Sequence, residues 1–182
     1  MTDVIVDGDD ALPVPSDEPA PTLYDLPLTE SCGQRVLHPS RAQYAALLPV
    51  LHADGWHSVL DVTAVDYLTF DAPRPLPAGI DAERFEVVVN LINHARRERL
   101  RLRIQVPEHD PVLASAFALY PGTEAPEREV FDMFGIAFDG HPDMTRILMP
   151  EDWVGHPLRK DYDVGRIPVQ FKGAPANRGV GA

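Results

Sequence analysis

The chain reads as an α+β domain: a small mixed or antiparallel sheet with helices on one face, plus extended N- and C-terminal tails. Three observations predict this. Strand-like and helix-like stretches are segregated along the chain instead of alternating as βαβ units. Arg99, Arg101, Arg103 and Gln105 alternate with Leu100, Leu102, Ile104 and Val106, the period of a strand with one buried face. Apolar residues recur at helical spacing ahead of Gly55 and again ahead of Gly135. The division that follows is an acidic, proline-rich tail over 1–33, an α+β core over 34–137, and a Gly/Pro-rich extended segment and tail over 138–182.

In order, Val36 and Leu37 suggest a short strand, and Ser40 caps a helix carrying Tyr44, Leu47, Leu48 and Leu51. Pro49 is expected to kink or shorten that helix, and Gly55 to end it. Ser58 to Tyr67 is rich in β-branched residues and predicts a strand; Asp71 to Gly79, with Pro73, Pro75 and Pro77, predicts a loop. Phe85 to Asn93 and Arg99 to Val106 make a hairpin. Asp110 and Pro111 then predict the start of a helix with Val112, Leu113, Ala116, Phe117 and Tyr120 as its stripe. A second helix starts near Thr123 or Glu124 and is closed by Gly135. Beyond Phe138, repeated Gly and Pro forbid long elements. Ile167, Val169 and Phe171 alternate in the last stretch, as in a strand that docks on another surface.

Composition bounds the function. With 182 residues and 45% hydrophobic content the chain can build one core, and it has no apolar run near the roughly 20 residues of a membrane helix. The early acids Asp3, Asp7, Asp9 and Asp10 fit neither a signal peptide nor a mitochondrial presequence, so a bacterial cytoplasmic setting is expected. The net charge is −12, and eight acids with no base precede Arg35. That acidity argues against bulk nucleic-acid binding. Arg96, Arg97, Arg99, Arg101 and Arg103 do gather on one surface, but without the stacking aromatics of a nucleic-acid platform; acids such as Glu86, or an acidic neighbour, are the expected partners. The single Cys32 cannot supply the thiolates of an iron-sulfur cluster. Gly-rich dinucleotide loops, phosphate loops and Ser-His-Asp sets are absent.

The dense chemistry lies late. In the run Glu127-Arg128-Glu129-Val130-Phe131-Asp132-Met133-Phe134-Gly135-Ile136, helical geometry puts Glu127 on the apolar arc with Val130, Phe131, Met133 and Phe134. A carboxylate there needs a cation or several donors, and Arg146 and Arg159 are the nearest cations. Arg128, Glu129 and Asp132 fall outside the arc, where Arg128 and Asp132 could pair with each other or reach a partner; the acids could equally serve only the helix dipole. A carboxylate acid/base pair would be a catalytic reading, but no nucleophile or metal set accompanies it.

Gly140-His141-Pro142-Asp143 and Gly155-His156-Pro157-Leu158-Arg159-Lys160-Asp161 each fix an imidazole on a rigid corner. His141, Asp143, His156 and Asp161 could hold zinc or iron, as in a stand-alone metal-dependent hydrolase, although their spacing matches no strong motif. The histidines could also be core residues bonding carbonyls, or contacts shown to another protein.

Taken together, these runs resemble the signature of the thirty-kilodalton subunit family of respiratory complex I, densely from Pro121 to Tyr162 and more thinly back to Val36. Ala125 and Pro126 stand where relatives usually carry an aromatic pair, and Thr145 where a basic residue or proline usually precedes Arg146. The resemblance implies a non-redox structural subunit of the peripheral arm of a proton-translocating NADH:quinone oxidoreductase, with no catalytic activity of the isolated chain. It implies contact with the hydrogenase-like large subunit at the quinone site and with cluster-bearing subunits, which hold NADH, FMN, iron-sulfur clusters and quinone; this chain binds none of them. Glu127, Arg128, Glu129, Asp132, Phe134, Gly135, His141, Pro142, Arg146, Gly155, His156, Pro157, Arg159, Lys160 and Asp161 are then interface or structural residues. The implied location is the cytoplasmic side of the bacterial membrane, reached only through the complex. Equivalent subunits of membrane-bound nickel-iron hydrogenases, or of deazaflavin-dependent quinone oxidoreductases, are the alternative.

Overall fold

A computed structural model describes residues 21–163. The alternation of Ile167, Val169 and Phe171 therefore lies outside the described residues. Six strands form one sheet: β1 (Thr22–Leu23), β2 (Leu26–Ser31), β3 (Gln34–Leu37), β4 (Ser58–Asp66), β5 (Phe85–Asn93) and β6 (Glu98–Val106). Their spatial order is β1-β2-β3-β6-β5-β4, and all neighbours are antiparallel except β3 and β6. The sheet is mixed, as expected. β1 and β2 fall inside the stretch assigned to the acidic tail, so part of that tail is sheet: Leu28, Thr29, Glu30 and Ser31 pair with Leu37, Val36, Arg35 and Gln34.

The hairpin follows the alternation residue for residue. Phe85, Val87, Val89 and Leu91 on β5 and Leu100, Leu102, Ile104 and Val106 on β6 join one core with Leu37, Val62 and Ala64. Helix α1 (Arg41–Ala53) lays Tyr44, Leu47, Leu48 and Leu51 on that core. Ser40 and Gln43 form a reciprocal capping box at its start. At its end Gly55, at φ +88°, lets the Gly55 N–H reach His52 O and the Trp56 N–H reach Leu51 O, the paired bonds of a Schellman cap. Pro49 does not shorten the helix, which runs one further turn because Leu51 is buried beyond it.

The expected helix from Asp110 to Tyr120 is not formed. Val112–Ala114 is instead strand β7, parallel to β8 (Ala137–Asp139), and turns occupy the rest. The apolar stripe suits a helix, but the backbone finds better partners at a distance: the Ser115 N–H bonds Asp139 O, and the Ala116 N–H bonds the Glu127 carboxylate. Helix α2 (Glu124–Phe134) follows a single 3-10 turn at Pro121–Thr123 and ends at Gly135, as predicted. Its Val130, Met133 and Phe134 meet the same core as α1, so both helices cover one face of the sheet. Among the described residues no helix is long and apolar enough to cross a membrane.

Candidate functional site

α2 is gripped at both ends by the segment that follows it. At its C-terminus the last carbonyls have no partner within the helix. Arg146 donates to Asp132 O at 3.3 Å, His156 Nδ1 to the same oxygen at 3.0 Å, the Leu158 N–H to Met133 O at 3.0 Å, and Arg159 Nε to Phe134 O at 2.5 Å. Two guanidinium groups thus sit where the helix dipole is negative. Gly135, at φ +73°, makes this possible: a Cβ there would lie 2.6 Å from His156 Nε2 and 2.7 Å from Arg159 Nη2. Gly155 is similarly constrained, because a Cβ on it would lie 2.8 Å from the Tyr162 ring.

Asp132 is the centre of the grip. It is fully buried, which corrects its expected place outside the apolar arc. Its Oδ1 takes Arg146 Nη1 at 2.5 Å, and its Oδ2 takes the N–H groups of Ile147, Leu148 and Met149 at 3.1, 2.8 and 2.8 Å. Burial works to raise its pKa, but the Met149 N–H, Arg146 and the other two amides outweigh it and hold the carboxyl below its usual range. Arg146 also donates to Gly155 O at 2.9 Å, tying the stretch that holds Asp132 to the second Gly-His-Pro turn.

Glu127 is buried as expected, but neither Arg146 nor Arg159 is its partner. Ser115 Oγ donates to it at 2.5 Å and the Ala116 N–H at 2.8 Å. With neutral donors only, burial dominates and pushes its pKa up. Arg128 does not bind Asp132; it donates to Thr145 O and Oγ1 and to Arg146 O, with Glu124 and Asp143 at 3.8 and 3.9 Å. Glu129 is exposed.

At the other end of α2, His141 Nε2 donates to Glu124 O at 3.1 Å while its Nδ1 accepts the Asp143 N–H at 3.1 Å. Pro142 is exposed and Pro157 half-buried in the two turns. Both imidazoles are therefore spent on backbone groups, and burial lowers the pKa of His156. His141, Asp143, His156 and Asp161 do not converge. An 11-residue helix of roughly 16 Å separates the two turns, and among the described residues no group of three or more His, Cys, Asp or Glu side chains could hold a metal.

The charges after the second turn fold back on their own chain. Asp161 pairs with Arg84 at 2.7 Å, and the Lys160 N–H bonds the buried Asp66 at 2.8 Å. Arg84 also takes Asp66 and Glu108, at 2.9 and 2.5 Å, and lies over the Phe85 ring, as does Arg159. Sequence reading missed Arg84, Asp66 and Ser115. Only the opposite charges of Arg84 and Asp66 hinted at a pair, and nothing local shows that 18 residues apart they meet across β4 and β5.

The family described as respiratory-chain NADH dehydrogenase, 30 Kd subunit, matches residues 37–167. An NADH-quinone oxidoreductase subunit of Salinispora arenicola is 43% identical over 145 residues, 78% of this chain and 55% of that one. The protein of the same name from Mycobacterium sp. (strain KMS) is 54% identical over 158 residues, 84% of this chain and 64% of its own length. This chain therefore spans between 55% and 64% of these relatives. A solved trypsin-resistant fragment of Nqo5 superposes with a TM-score of 0.58 at 33% identity, covering 65% of this chain and 89% of the fragment. The chain, with its grip on α2 inside the matched region, belongs to the family of the 30 kDa subunit of respiratory-chain NADH dehydrogenase.

Proposed function

We propose that this chain is a non-redox structural subunit in the peripheral arm of a proton-translocating NADH:quinone oxidoreductase, on the cytoplasmic side of the membrane. It packs on the hydrogenase-like large subunit and supports the quinone-binding region. NADH, FMN, iron-sulfur clusters and quinone are held by partner subunits, and electrons pass through them.

The observation that carries this reading is an exposed apolar set on a pinned backbone. Ile147, Leu148, Val154 and Leu158 are 41%, 58%, 87% and 49% exposed. Asp132 holds three successive amides beside them, and Arg146 holds Gly155 O, so the segment is fixed with its apolar side chains outward. Water-facing apolar groups on a rigid segment mark a protein interface. Within the same stretch, the buried indole N–H of Trp153 has no partner among the described residues.

The test is a tagged chain recovered from gently solubilised membranes of its host, beside the variants Leu148→Glu and Val154→Glu. The reading expects the wild type to bring down a flavin-bearing NADH module, cluster proteins and a hydrogenase-like large subunit, and the variants to lose the large subunit while keeping wild-type circular dichroism. Recovery with a hydrogenase set but no NADH module would instead assign the chain to a related complex. Recovery alone would overturn both.

A further inference from the structure

The sheet face opposite the helices holds two arginines with no carboxylate partner among the described residues. Register across the strands puts Asp61, Asn90 and Arg101 in one row, and sets Ile92 opposite Arg99 beyond it. Arg103, on the other side of that row, is neutralised by Glu86 at 2.7 Å. Arg101 is held by neutral acceptors alone, Asn90 Oδ1 at 3.1 Å and Gln34 Oε1 at 3.0 Å. Arg99 is exposed and bonds nothing among the described residues. Besides Glu86, the strands of this face carry one acid, the exposed Asp61, which forms no ion pair among the described residues. Positive charge is left in excess.

Each amide that turns its oxygen to Arg101 keeps its NH2 group for another acceptor. Asn90 Nδ2, Gln34 Nε2 and Arg101 Nη1 make no bond among the described residues. These side chains and Arg99 line a depression of 240 Å³. Arg101 is already oriented by its two bonds, so an anion that meets it has less side-chain freedom to remove. Leu60 forms part of the rim. The strand register breaks between Val59 and Asp61, and Leu60 stands half-exposed at that irregularity on the edge strand β4. No aromatic ring lines the depression, so nucleic-acid bases find no stacking platform. Arginine beside an exposed apolar side chain is the composition of a protein contact.

We propose that this depression docks an acidic segment of a neighbouring protein subunit, with carboxylates on Arg99 and Arg101 and an apolar residue against Leu60. The two arginines are two residues apart on one strand, about 7 Å, a spacing that two carboxylates of a single segment can match. The contact shares no residue with the apolar set at Ile147, Leu148, Val154 and Leu158, and it rests on the subunit reading only for the presence of neighbours.

The test places the photo-crosslinking amino acid p-benzoylphenylalanine at Thr63, an exposed position one row from Asp61, in the full tagged chain in its host. Membranes are irradiated and the adduct is mapped by mass spectrometry. The expected adduct joins another subunit at a segment with more Asp and Glu than Lys and Arg. Arg99→Glu breaks no bond among the described residues and should lower the adduct at least about tenfold, since like charges across an interface repel strongly. Asp61→Asn removes the repelling acid and should raise it. Lysine at the mapped acids should restore the adduct to the Arg99→Glu chain. An adduct unchanged by Arg99→Glu overturns the proposal, as does one with a neutral or basic segment, with nucleic acid or with a second copy. So does the absence of any adduct while the tagged chain still brings down its neighbours, a result that leaves the subunit reading standing. Recovery of the chain without neighbours overturns both.

Discussion

Gly135→Ala tests the grip on α2 most directly, because its cost divides into two parts that a second glycine separates. The first part is conformational: an L side chain in the left-handed region costs about 1–2 kcal/mol. Gly140, at φ +85° with nothing within 4 Å of its would-be Cβ, carries this part alone. The second part belongs to Gly135. Its Cβ would meet His156 Nε2 at 2.6 Å and Arg159 Nη2 at 2.7 Å, distances that real Cβ atoms do not show, so both side chains must move off Asp132 O and Phe134 O. Each lost contact gives up about 1 kcal/mol of hydrogen bonding and dipole interaction. Gly135→Ala should therefore cost about 3–4 kcal/mol against about 1–2 for Gly140→Ala. The gap of about 2 kcal/mol is about 4–8 °C in Tm for a chain of this size. Urea and thermal unfolding of both variants would measure it. Gly135→Asn adds a control: asparagine tolerates the left-handed backbone yet still carries a Cβ, so it should recover part of the conformational cost and keep the steric cost of about 2 kcal/mol. Equal costs at 135 and 140 within about 0.5 kcal/mol, or full rescue by asparagine, would refute the steric argument.

Asp132→Asn removes one partner of a buried pair and should destabilise by about 3 kcal/mol at pH 7. Because the folded carboxyl lies below its unfolded value of 3.8, its stabilisation is present above that pH and fades as pH falls through the lower folded value, so wild type and variant should converge in acid in urea titrations. Glu127 has the opposite sign. Its folded pKa is raised, so its contribution is full below 4.5 and is lost as pH climbs through the folded value; Glu127→Gln should flatten the stability profile on that side. Arg84→Ala strands the buried Asp66 and should cost about 3 kcal/mol or more, with faster amide exchange over residues 155–162, whereas Glu108→Ala, at a carboxylate 59% exposed, should cost under about 1 kcal/mol.

The sequence by itself determined those elements whose signals are local. The cap at Ser40, the period-two alternation of β6 and the helix stop at Gly135 depend on neighbours within a few residues, so they could be read before any fold was known. The burial of Glu127 was legible for the same reason, since helical phase alone assigns a face. Its partner was not. Charge favoured an arginine, but the chain brings Ser115 and Ala116 there because β7 and β8 pair in parallel, a contact that no local rule announces.

Tertiary structure alone decided the rest of the site. Asp132 looked like a surface acid by helical phase until residues 146–149 wrapped the far side of α2 and gave it four donors. The same long-range competition turned the apolar stripe from Val112 to Tyr120 from a helix into a strand and turns. A periodic stripe says that a segment must bury one side; which backbone groups satisfy its own N–H and C=O is settled by whatever the folded chain brings within about 3 Å.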